Sequence, residues 1–139
     1  MKFFRPTEDT QFRIDYAWFD GLGQDVNVLI YKCLSTEQRD RLGDMREPQM
    51  YDFIDEHTGE VARTSQVLQI IRRESAMDRA FITPKTPVFE AAFRLFLING
   101  NAPLTARELA ERMGRKPADI LAQIGGRVVY NGIRPYMPS

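Results

Sequence analysis

The chain has 139 residues, 43% of them hydrophobic and 27% charged, enough for one ordinary domain or two very small ones with a real core. No apolar run approaches the roughly 18 residues of a membrane span, so no membrane partner is expected. The single cysteine, Cys33, excludes an intrachain disulfide.

The opening stretch MKFFRPTEDTQF lacks the apolar core of a secretion signal. With one cysteine, a reducing cytoplasm is the expected setting. Net charge is zero but unevenly spread: residues 1–82 carry 11 basic and 15 acidic side chains, and residues 83–139 carry 8 and 4. A basic half of this kind is the electrostatic footprint of nucleic-acid contact, although many protein-binding modules carry as much.

From Gln11 the apolar residues Phe12, Ile14, Tyr16 and Trp18 alternate with Arg13 and Asp15. Period two predicts a strand with one buried face. Asp20-Gly21-Leu22-Gly23 reads as a turn, and Val26 to Cys33 as a second strand pairing with the first in a hairpin. Ser35 and Gln38 form an S-x-x-Q capping box, which predicts a short helix from Thr36 to about Leu42. Gly43 to Gln49 reads as a loop. Met50 to Asp55 and Glu60 to Thr64 read as a second hairpin around Glu56-His57-Thr58-Gly59. Ser65 can cap a helix from Gln66 to about Ser75, with Val67, Ile70 and Ile71 inward.

Thr86-Pro87 opens a helix to about Ile98 that is apolar nearly all round, and such a helix is central in a fold. Asn99-Gly100-Asn101 ends it. Leu104 to Gly125, LTARELAERMGRKPADILAQIG, then reads as two short helices joined by a tight turn. Thr105 and Glu108 make a T-x-x-E capping box, Gly114 accepts the left-handed backbone that ends the first helix, and Pro117 suits the first turn of the second. Arg127 to Tyr130 and Ile133 to Tyr136 flank Asn131-Gly132, a strong signal for a hairpin turn.

Pro87 to Tyr136 therefore resembles the winged helix-turn-helix superfamily, on the ELAERMG core, the following helix and the Asn-Gly wing. LTARELAERMGRKPADIL is also similar to the small helical N-terminal modules of bacterial translation initiation factor 2, which lack the long preceding helix and the wing. No family is recognised for residues 1–82. The first resemblance implies that the second helix of the motif enters the major groove, with Arg115, Lys116, Ala118, Asp119, Ala122 and Gln123 exposed. Arg115 and Lys116 would meet phosphate or guanine, Gln123 would lie nearest base edges, and Arg127 and Arg134 of the wing would grip the backbone. Asp119 repels phosphate, and two alanines leave little to read with. The other reading makes these charges a solvated surface and the motif a docking module for protein.

Elsewhere chemistry is sparse. His57, the only histidine, reads as an exposed turn residue, because no triad or ligand spacing accompanies it. Cys33 reads as a buried inert thiol in an apolar strand. Asp15, Asp20 and Asp25 line the first hairpin, while Asp44, Glu47, Asp52, Asp55 and Glu56 crowd the middle. None fits a Ca²⁺ loop, and a solvated acidic face is expected. Gly21-Leu22-Gly23 is too short for a phosphate loop. Tyr16, Trp18 and Phe19 could make a stacking platform for single-stranded nucleic acid. Tyr16 and Trp18 share a face with Phe12 and Ile14 and read as core, whereas Phe19 falls opposite and reads as exposed, at a protein interface.

The expected fold is α+β: two small β-hairpins with short helices over residues 1–82, then a three-helix winged-helix module over 83–139, with the Thr86 helix able to tie both into one core. The expected function is a small non-enzymatic nucleic-acid-associated protein, a DNA-binding transcription regulator for example, with no catalytic, cofactor or metal site. DNA or RNA is its expected partner. The alternative is a protein-interaction or assembly module that forms a homodimer, with the first hairpin offering an edge for pairing.

Overall fold

The computed structural model describes residues 5–42, 50–54 and 61–136. In chain order these form β1 (Gln11–Ile14), α1 (Tyr16–Gly21), α2 (Val26–Lys32), α3 (Thr36–Leu42), β2 (Met50–Ile54), β3 (Val61–Ser65) and α4 (Gln66–Arg73). There follow α5 (Val88–Ile98), β4 (Leu104–Thr105), α6 (Ala106–Met113), α7 (Pro117–Ile124) and β5 (Ile133–Pro135). The class is α+β. Contacts group the chain into two compact units, Met1–Gln24 with Arg79–Ser139, and Asp25–Asp78. The segment up to Gln24 thus joins the C-terminal helices, whereas the sequence grouped it with the residues up to 82.

In the first unit the expected strand from Gln11 to Trp18 is cut short. β1 keeps its alternation through Ile14, with Phe12 and Ile14 buried, and then Asp15 caps a helix. The Asp15 carboxylate accepts from the Ala17 amide (3.1 Å), the usual bond that satisfies an orphan donor at a helix start. The turn to helical period reverses the expected faces. Phe19 is 1% exposed, Tyr16 lies at the surface, and Trp18 sets its ring edge-on against Phe19. The three do not make an open stacking platform.

α5 is central, as its composition requires: Val88, Ala91, Ala92, Phe93, Leu95, Phe96 and Leu97 are all buried. It packs on β1, α6 and α7. α6 begins in a complete capping box, with the Glu108 amide donating to Thr105 Oγ1 (3.1 Å) and the Thr105 amide donating to Glu108 Oε1 (3.0 Å). Gly114 ends it at φ 68°, where a Cβ would be strained. Pro117 opens α7. Leu109, Ala110, Met113, Ile120 and Ile124 turn inward and join α6 to α7.

The sheet of this unit has the order β4-β1-β5, all antiparallel. β4 covers only Gln11 and Phe12 of its neighbour. Beyond it the side chain of Asn101 continues the ladder. Its Oδ1 accepts from the Ile14 amide and its Nδ2 donates to the Ile14 carbonyl, both at 2.9 Å.

The wing differs from expectation. Asn131 (φ 53°) and Gly132 (φ 72°) form the turn, closed by the Ile133 amide on the Tyr130 carbonyl (3.0 Å). Its first arm, Arg127 to Tyr130, is not a strand. Tyr130 instead stacks on Phe89 of α5, with centroids 4.4 Å apart, and β5 pairs with β1. A Cβ on Gly132 would lie 2.6 Å from Phe19 Cε2, so the glycine makes room for the buried ring.

In the second unit the expected strand Val26–Cys33 is the helix α2, capped by Asp25 through the Asn27 amide (2.9 Å). There is accordingly no first hairpin and no edge from it. Cys33 is the C-cap of α2 and is partly exposed, not buried in a strand. α3 matches its capping box, with reciprocal bonds between Ser35 and Gln38 (3.0 and 3.2 Å). β2 and β3 form the second hairpin in the register Met50↔Ser65 to Ile54↔Val61. Its turn, with His57, and the loop Gly43–Gln49 lie outside the described residues. α4 packs on α2 and ends at Arg73, with a short 3₁₀ turn at Ser75–Met77. Gln38, nearly buried, donates to Glu74 and Ser75. Arg41 pairs with Glu74. The Arg41 hydrogen bond holds the Glu74 carboxyl below its ordinary range, and Glu74 raises the Arg41 guanidinium.

Candidate nucleic-acid interface

The expected site residues fall into two places, both within the first unit. Around α7, an open groove of about 460 Å³ is lined by Val88, Arg115, Lys116, Asp119, Ala122 and Gln123. Lys116 is the N-cap of α7 and, like Asp119 and Gln123, is exposed. Arg115 is differently placed. Its Nη2 donates to the Pro84 carbonyl (2.9 Å) and to the Thr86 carbonyl. Its guanidinium ties the turn before α7 to the segment that leads into α5. Lys116 and Gln123 are then the side chains left to approach a ligand here, beside the Asp119 carboxylate.

The second place is the outer face of the sheet. In the β1–β5 ladder Arg13 lies directly opposite Arg134. Alternation puts both outward, since Phe12, Ile14 and Ile133 are buried. Like charges directly opposite on one face are unfavourable, and the fold offsets each one. The Arg13 guanidinium lies 4.2 Å from the centroid of the Tyr136 ring, a cation–π contact. Arg134 Nη1 donates to Asp15 Oδ2 (3.1 Å), with the two side chains 49% and 39% exposed. At such exposure the pair is screened and weak. Asp15 divides its carboxylate, one oxygen capping α1 and the other meeting Arg134.

These residues border an open groove of about 610 Å³, lined by Arg13, Arg127, Arg134, Asp15 and Tyr136 together with apolar side chains such as Ile124 and Ile133. Three guanidinium groups face one carboxylate among its lining residues. The structure thus brings Arg127 and Arg134 together and separates them from Arg115, Lys116 and Gln123, which line the other groove. Arg13 and Tyr136 were missed by the sequence reading. The outward position of Arg13 was legible in the Phe12–Ile14 alternation, but its partner strand was not. Among the described residues no group of three His, Cys, Asp or Glu side chains could hold a metal ion, and no helix is long and apolar enough to cross a membrane.

Comparison of the chain with known protein families, curated proteins and solved structures finds no match.

Proposed function

We propose that this chain is a small non-enzymatic protein that binds nucleic acid through the sheet groove, as a winged-helix-like module whose phosphate contacts come from Arg13, Arg127 and Arg134. The observation that supports this reading is the direct cross-strand pairing of Arg13 with Arg134. Against these two opposed guanidinium groups the groove sets one exposed carboxylate and one ring, which leaves a net positive face. A phosphate oxygen between them would relieve the repulsion and accept charge-assisted hydrogen bonds from both. Lys116 and Gln123 would extend the surface around α7. Arg115 is better read as a structural tie than as a ligand contact.

Binding to fluorescein-labelled mixed-sequence oligonucleotides, followed by anisotropy, tests this. Two or three neutralised phosphates predict an affinity loss of about tenfold or more between about 50 and 200 mM salt. Arg127→Ala and Arg134→Ala should each weaken binding and flatten that dependence. No binding at the lower salt, to single or double strands, refutes the reading.

A second reading, docking on protein or self-association, has the exposed apolar side chains Leu22 and Val128 in its favour. Sedimentation would show a concentration-dependent dimer that Leu22→Ser or Val128→Ser abolishes.

A further inference from the structure

Resting on the nucleic-acid reading, we infer that the sheet groove takes a single strand and not a duplex, with one base stacked on the Arg13–Tyr136 pair and its phosphate held by Arg134 and Arg127. Tyr136 is the last described residue of the chain, and its position is fixed from the backbone: its amide donates to the Gln11 carbonyl at 2.8 Å. That bond sets the ring beside β1, where the Arg13 guanidinium covers it at 4.2 Å. Arg13 is exposed. A guanidinium is itself planar, and bases stack on such planes as they do on aromatic rings. Base faces are hidden in a duplex and open in a single strand. A stacking platform beside cations therefore discriminates between the two forms where phosphate contacts alone would not.

The helix that would read a duplex is poorly equipped for that task. Asp119 stands in the first turn of α7, Ala118 and Ala122 carry no reading group, and Arg115 is bound to the Pro84 and Thr86 carbonyls. The sheet groove instead combines three guanidinium groups with the Arg13–Tyr136 cation–π pair on one open surface.

The test compares three labelled probes on the full chain: a mixed-sequence DNA single strand of about twelve nucleotides, within the site size of small single-strand binders, its duplex with the complement, and an inorganic polyphosphate chain. The single strand should bind at least about fivefold tighter than either, the lower end of the gain from one stacked base. Tyr136→Leu should bring the single strand to the duplex level, and Tyr136→Phe should keep the preference. Should Tyr136→Leu fail to fold, Arg13→Lys serves in its place, since it keeps the charge and removes the planar fork. It should lose the single-strand preference. Equal or tighter duplex binding, or a single-strand affinity indifferent to Tyr136→Leu or Arg13→Lys, overturns this inference and leaves the nucleic-acid reading in place. No binding to any probe overturns both.

Discussion

Replacing Asn101 by alanine should cost the first unit about 3–4 kcal/mol, an amount large for a side chain outside the apolar core. The carboxamide makes two hydrogen bonds to Ile14, at 2.9 Å each, and Ile14 is 1% exposed, so water cannot replace them. Two stranded backbone groups cost about 1–1.5 kcal/mol each even at the low end of the range for buried unsatisfied groups. Asn101 also sits at φ 61°, where alanine loses about 1 kcal/mol relative to asparagine or glycine. Asn101→Gly should therefore cost about 2–3 kcal/mol, because it loses the bonds but not the backbone preference. Urea denaturation followed by Trp18 fluorescence is the suitable assay. Trp18 is the only tryptophan and belongs to the first unit, so the second unit does not enter the signal. If Asn101→Ala falls within about 1 kcal/mol of the parent, or if glycine is no milder than alanine, the ladder-extending role assigned to this side chain is wrong.

Two glycines separate backbone strain from lack of space. Gly114→Ala should cost only about 1 kcal/mol, since its Cβ would meet nothing within 4 Å, whereas Gly132→Ala should cost about 3 kcal/mol because Phe19 is buried and must move; equal costs by the same denaturation assay would contradict the packing described for Phe19. Arg115→Ala should lower stability by about 1–2 kcal/mol by releasing two carbonyls, and it should leave the salt dependence of oligonucleotide binding unchanged. The Glu74 carboxyl should titrate below the ordinary glutamate range by NMR, and Arg41→Ala should move its midpoint upward. Because the folded value is depressed, the pair stabilises the protein above the unfolded pKa, and this contribution fades as pH falls through the folded one. The stability gap between the parent and Glu74→Gln should therefore be present at neutral pH and close in acid.

Local signals in the sequence were read well wherever the structure obeys them. The α3 and α6 capping boxes, the left-handed Gly114, Pro117 at the start of α7 and the apolar run of α5 act within a few residues, and each sets an element on its own. Phe12 to Trp18 shows where such reading fails. Tyr16 and Trp18 continue the strand pattern by chance, while Asp15 carries the opposing signal, a carboxylate able to satisfy an amide two residues on. Asp25 does the same before Val26, and its cap outweighs the β-branched residues that follow. The Asn131-Gly132 turn was legible because two adjacent residues accept positive φ. Its strand pairing was not, because β5 finds β1 across the whole chain. The site shares this division. Arg127 and Arg134 were visible as outward charges. Arg13 and Tyr136 acquire meaning only once β1 and β5 are neighbours, and the acceptors that hold Arg115 are backbone carbonyls that no side-chain pattern reveals.

The central position of β1 bears on how the chain is made. During synthesis this strand leaves the ribosome ahead of both of its partners and waits for them. The Asp15–Arg134 bond alone spans 119 positions. Contacts so distant in sequence raise contact order and slow closure, and an unpaired strand with two apolar side chains is a hazard while it waits. Residues 25–78 emerge in the interval and group as a compact unit of their own, so that unit can form before the sheet does. The nascent protein would acquire its inserted unit before the cationic groove, which closes when Arg134 comes to lie across from Arg13.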